Sequence, residues 1–301
     1  MKSFILALAL TITLPLQSHP SWGIAVDSKG DVYFVDVMHN DGTLWKYEVK
    51  TGKTTALITG HFHAHNMQIT PGDVLYIGTQ IWIDGEIMGD GHNYFFKYDI
   101  KTNKLDTLIY SENYERFFGG EALYDKGLNR VFFFHDGKLR AYNLDSEKSL
   151  ILSNRVFDRK CTMILGQKGD LYISDAMHDN GTIWHYKNQM GVQKIADNLI
   201  DQNPKKPVYP EKRFQLFYGM AFTADQNLIY TENANRTVVE LTGGMKKVLY
   251  QSPEKYHPTA VALYDEKYYI IEVGYLPGKG HVGPNLVVLE DDKIQRIKLG
   301  Y

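Results

Sequence analysis

The chain contains a single cysteine, Cys161, among its 301 residues. No intramolecular disulfide can form, and a zinc site built from several cysteines is excluded. Neither sign of charge is in excess, because 33 basic and 35 acidic side chains give a formal charge of −2. This balance gives no reason to expect a nucleic-acid partner or an anionic membrane surface.

Several catalytic sequence motifs are also missing. The sequence has no nucleophile elbow, no phosphate-binding loop and no glycine fingerprint for a dinucleotide. An ATP-dependent enzyme, an NAD-dependent enzyme and a serine hydrolase of the elbow type are therefore disfavoured.

Long apolar runs are confined to the N-terminus. Lys2 precedes an apolar stretch from Phe4 to Leu16, which is too short to span a bilayer well and is typical of a signal-peptide core. We predict that residues 1–18 are a signal peptide and that residues 19–301 form a secreted or periplasmic protein without a membrane span. A buried first helix or strand is the alternative for this segment.

Aromatic residues, by contrast, are abundant at 13%, which favours strands. An apolar alternating run, a Gly/Asp turn and a second aromatic run recur along the chain at 40 to 57 residues, the period range of propeller blades. The equivalent positions are Tyr33, Tyr76, Phe132, Tyr172, Ile229 and Tyr269. Each copy continues into a third and a fourth strand. The sequence therefore predicts an all-β fold, a six-bladed β-propeller of four-stranded antiparallel blades spanning residues 19–301.

The segment HPSWGIAVDSKGDVYFVD, which begins at His19, resembles the NHL repeat. The whole predicted mature chain is similar to the six-bladed group that contains NHL proteins, the gluconolactonase family and the peptidyl-amidating lyases. This resemblance specifies the architecture strongly and the activity weakly, since one such fold hosts many functions.

The resemblance also implies metal ligands on the innermost strands, and this sequence matches them only in part. Glu121, in GGEALYD, resembles the acidic ligand of the gluconolactonase family, and His65, in AHNM, resembles a histidine-bearing strand of the amidating lyases. Other ligand positions of the two families hold different residues, namely Trp22, Cys161, Tyr218 and Thr259. Neither family's complete metal site is present.

Propeller geometry sorts the loops between two faces. In an up-and-down blade, the loops between the second and third strands share one face with the crossings between blades, and we call this the mouth face. Ten of the 11 histidines map to it, the exception being His185. Because function usually lies in loops held by a rigid scaffold, we predict the functional site on the mouth face.

The innermost strands start at the mouth of the central channel, where the sequence offers groups that titrate or bind metals. We predict that His65, Glu121 and Tyr218 are catalytic, and that His63, His65 and Glu121 hold a divalent metal, calcium or zinc. Such a metal polarises a carbonyl or activates a water, and Tyr218 is suited to act as an acid or a base. The alternative is that His65 is a hydrogen-bonded channel residue and His63 is exposed.

A longer internal match pairs blades one and four, since DVYFVDVMHNDGTLWKY is repeated as DLYISDAMHDNGTIWHY. The two blades lie opposite each other in a ring of six, so we predict that His39 and His178 contact a ligand. In the alternative interpretation these loops only turn the chain and the preceding aspartates bond backbone. Trp22 and Trp82 complete the predicted ligand-binding set, because indole rings offer a stacking surface.

Two functions remain open on the sequence alone. The first is an extracytoplasmic enzyme that performs metal-assisted hydrolysis or lyase chemistry on a small organic ligand at the channel mouth. The second is a non-catalytic propeller that binds a glycan or a peptide. The expected partner is thus a small molecule, a glycan or a peptide, and the chain is expected to be a monomer.

Overall fold

The computed structural model describes residues 23–37, 42–60, 63–81, 92–157, 161–166, 168–188, 190–208, 216–276, 280–291 and 293–299. For residues 63, 81, 280 and 281 it describes the backbone alone. The predicted signal peptide at residues 1–18 lies outside the described residues and stays a prediction. Within the described ranges, no helix is long and apolar enough to cross a membrane.

The described residues form 24 strands in six antiparallel sheets, and each sheet consists of four strands that are consecutive in the chain. The first three blades contain β1 (Ile24–Val26), β2 (Val32–Asp36), β3 (Thr43–Glu48), β4 (Lys53–Thr59), β5 (His63–Thr70), β6 (Val74–Ile81), β7 (His92–Asp99), β8 (Lys104–Ser111), β9 (Leu123–Asp125), β10 (Arg130–His135), β11 (Lys138–Asn143) and β12 (Lys148–Val156). The last three contain β13 (Met163–Leu165), β14 (Leu171–Asp175), β15 (Thr182–Lys187), β16 (Gly191–Ala196), β17 (Phe217–Phe222), β18 (Leu228–Glu232), β19 (Thr237–Thr242), β20 (Met245–Gln251), β21 (Tyr256–Tyr264), β22 (Lys267–Leu276), β23 (Gly280–Glu290) and β24 (Lys293–Lys298). The predicted six-bladed propeller is confirmed.

The six sheets close into a ring. The innermost strands contact one another in the order β1, β5, β9, β13, β17 and β21, and β21 returns to contact β1. The closure is reinforced where the Tyr264 hydroxyl of blade six donates a hydrogen bond to the carbonyl oxygen of Ser28 in blade one, at 2.8 Å. Blades one and four therefore lie opposite each other, as the internal sequence match predicts.

The positions that recur from one repeat to the next show where the core lies. The six equivalent aromatic or aliphatic positions all fall on second strands, and their neighbours pack between one sheet and the next. Phe34 and Tyr230 belong to one large apolar cluster that joins blades four, five, six and one, whereas Phe95 and Phe133 fill the space between blades two and three. Because each sheet buries both faces, the strands carry apolar residues at consecutive positions.

The turns between first and second strands need a backbone conformation that favours glycine. Gly30 joins β1 to β2 with φ +87°, and Gly169 joins β13 to β14 with φ +72°. Glycine adopts this left-handed conformation at no steric cost, which explains the repeated Lys-Gly-Asp turns of the sequence. These turns lie on the face opposite the mouth face.

Candidate functional site

Three innermost strands carry an irregularity at the mouth of the channel. The pairing of β5 with β6 skips from Ala64 to Met67. The pairing of β17 with β18 skips from Phe217 to Met220 in the same way, and the register between β21 and β22 shifts at Thr259. A β-bulge of this kind bends the strand and re-aims its side chains. His65 and Tyr218, two of the predicted catalytic residues, both lie within these bulges.

The structure brings His65 of blade two to Glu121 of blade three. The Nδ1 atom of His65 lies 3.2 Å from Oε1 of Glu121, and both residues are buried. Burial lowers the pKa of His65 to about 3, so the imidazole is neutral at pH 7. A carboxylate accepts hydrogen bonds, so Nδ1 carries the proton of the neutral ring and Nε2 is its basic nitrogen.

Two glycines position Glu121. A Cβ atom on Gly119 would lie 2.3 Å from the carbonyl oxygen of Thr79, and one on Gly120 would lie 3.0 Å from the Phe118 ring. The Gly119 amide also donates a hydrogen bond to Oδ1 of Asn93, at 3.0 Å. The chain can approach blade two this closely only because it lacks side chains here, and the next residue is Glu121.

Tyr218 reaches the same region from blade five. Its side chain is buried, and burial raises the pKa of its phenol, with the charge of Glu121 raising that pKa further. The phenol therefore keeps its proton at pH 7 and acts as a hydrogen-bond donor. Residues from three blades thus converge at the channel mouth, where the sequence predicts the catalytic group.

Asn66, which the sequence analysis missed, spans the channel beside His65. Its Nδ2 atom donates a hydrogen bond to the carbonyl oxygen of Met163 in blade four, at 3.2 Å, and its Oδ1 atom accepts one from the amide of Met67, at 2.9 Å. The buried side chain holds the bulge of β5 in place. The sequence feature that could have identified Asn66 is its position next to His65 at the start of the innermost strand.

The described residues do not make up the predicted metal site. His65 and Glu121 lie close enough to share an ion, but no group of three His, Cys, Asp or Glu side chains gathers in the part of the chain that the structure describes. Catalytic zinc sites use three protein ligands, so the fit is incomplete. The side chain of His63, the third predicted ligand, lies outside the described residues, and the divalent metal stays a prediction.

His178 is described and lies on the mouth face of blade four. Its Nδ1 atom is 3.3 Å from Oδ2 of the buried Asp175, and its ring meets that of Trp184 edge to face, with centroids 5.9 Å apart. Its side chain is 45% exposed, so it is available to a ligand. The other predicted ligand contacts, Trp22, His39 and Trp82, lie outside the described residues.

A second feature that the sequence analysis missed is an aromatic cluster beside Gly120, which we call the aromatic wall. It consists of Tyr114, Phe118 and His135, all half-buried on the mouth face. The Tyr114 ring centroid lies 5.6 Å from that of Phe118 and 6.5 Å from that of His135. Burial lowers the pKa of His135, which favours its neutral form. The wall adjoins Glu121 through the Phe118 contact with Gly120.

Comparison with known proteins finds no matching family and no matching curated protein. Solved structures do match. A streptogramin B lyase is 12% identical with a TM-score of 0.58, covering 96% of this chain and 86% of that one. A luciferin-regenerating enzyme is 12% identical with a TM-score of 0.59, covering 94% and 95%.

A third solved structure, the PQQ-bound aldose sugar dehydrogenase from Streptomyces coelicolor, is 14% identical with a TM-score of 0.55, covering 94% of each chain. Identities this low establish the fold alone, because one propeller architecture hosts unrelated activities. The chain is therefore similar in fold to six-bladed propeller proteins, several of them enzymes.

Proposed function

We propose that the chain is an enzyme that performs hydrolysis or elimination on a small organic substrate at the channel mouth. The observation that carries this proposal is the convergence of His65, Glu121 and Tyr218 from three different blades. Each is buried, and each is a residue type that moves protons or stabilises charge. Structural neighbours with lyase activity support an enzyme of this kind on this fold.

The three residues have complementary roles in such a reaction. The neutral His65 offers Nε2 to a proton from water or from a carbon next to a leaving group, and the carboxylate of Glu121 at Nδ1 offsets the burial that disfavours the imidazolium. Tyr218 keeps its proton, so it donates a hydrogen bond to the oxygen on which negative charge develops. Glu121 acts through His65 and is a positioning residue.

The family resemblance of the repeats and the predicted location support this proposal. The NHL and gluconolactonase resemblance of the repeats supports a hydrolase or lyase, and the N-terminal apolar segment supports secretion or periplasmic export. An N-terminal sequence of the protein recovered from outside the cytoplasm tests the second point.

Turnover of a panel of lactones, esters and elimination substrates tests the activity. His65→Gln and Tyr218→Phe are each expected to lower kcat at least about 100-fold, the usual contribution of one acid–base group. Glu121→Gln is expected to lower kcat and to change its pH profile, because it removes the charge that stabilises the imidazolium. His185→Gln, a histidine on a third strand away from the mouth face that lies 3.1 Å from Asp170, is the matched control. Equal turnover by all variants, each still folded, would exclude these roles.

Metal content separates the metal-assisted form of the proposal from the metal-free form. Plasma mass spectrometry of the purified mature protein measures it, and a near-stoichiometric divalent metal that is lost in His65→Ala and Glu121→Ala would support the metal-assisted form. Metal-free protein whose thermal unfolding does not respond to calcium or zinc would exclude the metal and leave the acid–base roles to be judged by turnover.

A second candidate function is non-catalytic binding of a glycan or peptide, and the aromatic wall favours it. Half-buried rings on the mouth face give a stacking surface for sugars or aromatic side chains. Binding of oligosaccharides or peptides that is lost in Tyr114→Ala and Phe118→Ala, and kept in His65→Gln and Tyr218→Phe, would support the binding function over the enzyme.

A further inference from the structure

A pocket of about 530 Å³ lies between the crossing from blade four to blade five and blade five itself. One wall is the crossing at residues 198–201, a second is the end of β18 and the start of β19, and the third is β20. The volume is in the range of sites that hold small molecules. The pocket opens beside the second-to-third loop of blade five, away from the channel residues described above.

Opposite charges face this pocket from two walls. The exposed carboxylate of Asp201 is held in place by the Asn203 amide, which donates to Oδ1 at 2.9 Å, and by Nδ2 of Asn235, which donates to Oδ2 at 3.2 Å. Opposite, Nζ of Lys246 donates to the carbonyl oxygen of Asn198 at 2.6 Å, which uses one of its three N–H groups. The hydrogen bonds from Asn203 and Asn235 lower the pKa of Asp201, and the charge of Lys246 lowers it further, so the two charges lie within electrostatic range of each other.

Apolar side chains contribute to the lining, together with the polar side chains of Asn198, Asn235, Thr237 and Gln251. Ile200 and Val239 are buried in the wall, whereas Val248 on β20 is 57% exposed. An exposed valine on a strand that also presents Lys246 gives an apolar surface next to a cation. A ligand that complements this lining carries an aliphatic group between its own charged ends.

A buried carboxylate makes the base of the pocket rigid. Oε1 of Glu232 accepts a hydrogen bond from the Asp201 amide at 2.9 Å, and Oε2 accepts one from the Thr237 hydroxyl at 3.2 Å. Burial raises the pKa of Glu232. These bonds fix the crossing against blade five, so the position of Asp201 is set before any ligand arrives, which lowers the entropic cost of binding.

We propose that this pocket binds a free α-amino acid with an aliphatic side chain. The ammonium group of the ligand pairs with Asp201, its carboxylate pairs with Lys246, and its side chain packs against Ile200, Val239 and Val248. A ligand that is only an anion meets the carboxylates of Asp201 and Glu232, and a ligand that is only an amine offers no negative charge to Lys246. A zwitterion matches both charges, and the exposed Val248 beside Lys246 favours an aliphatic side chain.

Calorimetric titration of the mature chain with L-leucine tests this site. We expect leucine to bind, and N-acetyl-leucine and leucinamide, which lack one charge each, to bind at least about tenfold more weakly, as expected for loss of one charge-assisted hydrogen bond. Asp201→Asn and Lys246→Gln are expected to weaken leucine binding by a similar factor. Lys247→Gln, the next residue on β20, is the matched control and should bind as the wild type does.

Three results would overturn the proposal. The first is no heat of binding with leucine at millimolar concentration while every variant remains folded. The second is equal binding of N-acetyl-leucine and leucine. The third is leucine binding that is lost in His65→Gln but kept in Asp201→Asn. The last result would move leucine to the channel. A monosaccharide that binds at this pocket in place of leucine would also overturn it, since it would show that the polar groups recognise hydroxyls.

Discussion

Gly78 of β6 and Gly119 of the crossing into blade three touch backbone to backbone. A Cβ atom on Gly78 would lie 2.1 Å from the carbonyl oxygen of Gly119 and 2.6 Å from Cβ of Ala122. No real Cβ atom tolerates the first of these distances, and the obstacle is backbone, which cannot swing aside. The contact holds the segment that carries Glu121 against the blade that carries His65.

Gly78→Ala is therefore expected to destabilise the fold and to separate His65 from Glu121. Overpacking of this kind costs about 1–3 kcal/mol, and the strain falls on the crossing because β6 is held on both sides by paired strands. Denaturant unfolding measures the loss. Gly127→Ala, in an exposed turn where the added Cβ meets a single side-chain oxygen at 3.3 Å, is the matched control. Equal midpoints for both variants would show that the crossing yields to the new methyl group.

His65 makes the stability of the protein depend on pH. Its pKa is lowered to about 3 by burial, whereas the unfolded chain has the ordinary value of 6.5, so the unfolded state binds the proton more readily. The stability from the neutral imidazole is complete above pH 6.5 and is lost as the pH falls towards 3. Proton linkage predicts that the contribution of this group to the free energy of unfolding falls by about 3 kcal/mol between pH 7 and pH 4.

The variant His65→Asn isolates that contribution from the carboxyl groups that titrate in the same range. The difference in unfolding free energy between pH 7 and pH 4 is expected to be about 3 kcal/mol smaller in the variant than in the wild type. An equal pH dependence in both proteins would mean that the imidazole is hydrated or ion-paired in the native state.

The sequence predicts the parts of this site that follow from repeat and topology. Once the repeat positions such as Tyr33 and Tyr172 set six blades, the starts of the innermost strands must meet at one mouth, so the convergence of His65 and Glu121 follows. The bulge that turns His65 is invisible in a pattern of alternation, because an extra residue leaves no mark in composition. The bond from Asn66 to blade four depends on the channel width, which a single sequence does not encode.

The pocket of blade five was missed for a related reason. Asp201 and Lys246 are 45 residues apart in the chain, and each belongs to a segment that reads as an ordinary polar stretch. Only the packing of the crossing from blade four on β20 brings the two charges to one cavity.

Blades five and six are tied by a network around the buried Tyr250 and Glu272, which the exposed Arg296 completes. The Tyr250 hydroxyl of β20 donates to Oε1 of Glu272 at 2.6 Å and accepts from Nη2 of Arg296 at 2.9 Å, while Nη2 of Arg296 lies 2.8 Å from Oε2 of the fully buried Glu272. Tyr250→Phe removes one donor from a buried carboxylate and is expected to cost about 1–3 kcal/mol. Arg296→Ala is expected to cost more, about 3–5 kcal/mol, because it leaves the charge of Glu272 buried without its cation.

Thermal and denaturant unfolding of the two variants check this order. Tyr264→Phe, which also removes a phenol that bridges two blades but at an exposed position, is the control and is expected to cost less than either. A cost for Arg296→Ala no greater than that for Tyr264→Phe would show that solvent reaches Glu272 and replaces the ion pair.

Asp73 joins blades one and two on the face opposite the mouth. Its carboxylate accepts hydrogen bonds from the amide and the hydroxyl of Ser28, at 2.9 and 2.7 Å, and these bonds hold the pKa of Asp73 below its usual value. Asp73→Asn keeps the shape but weakens both bonds, so we expect a loss of about 1 kcal/mol at pH 7 and faster hydrogen exchange at the Ser28 amide. A carboxyl group with a lowered pKa stabilises the fold above its unfolded pKa and loses that effect as the pH falls, so the stability of the wild type should approach that of the variant in acid.

Asp99→Asn is the control, because among the described residues the Asp99 carboxylate bonds only Lys101 and Thr102, within its own turn. Exchange at Ser28 that responds equally to both substitutions would mean that Asp73 stabilises its own hairpin and does not tie the two blades.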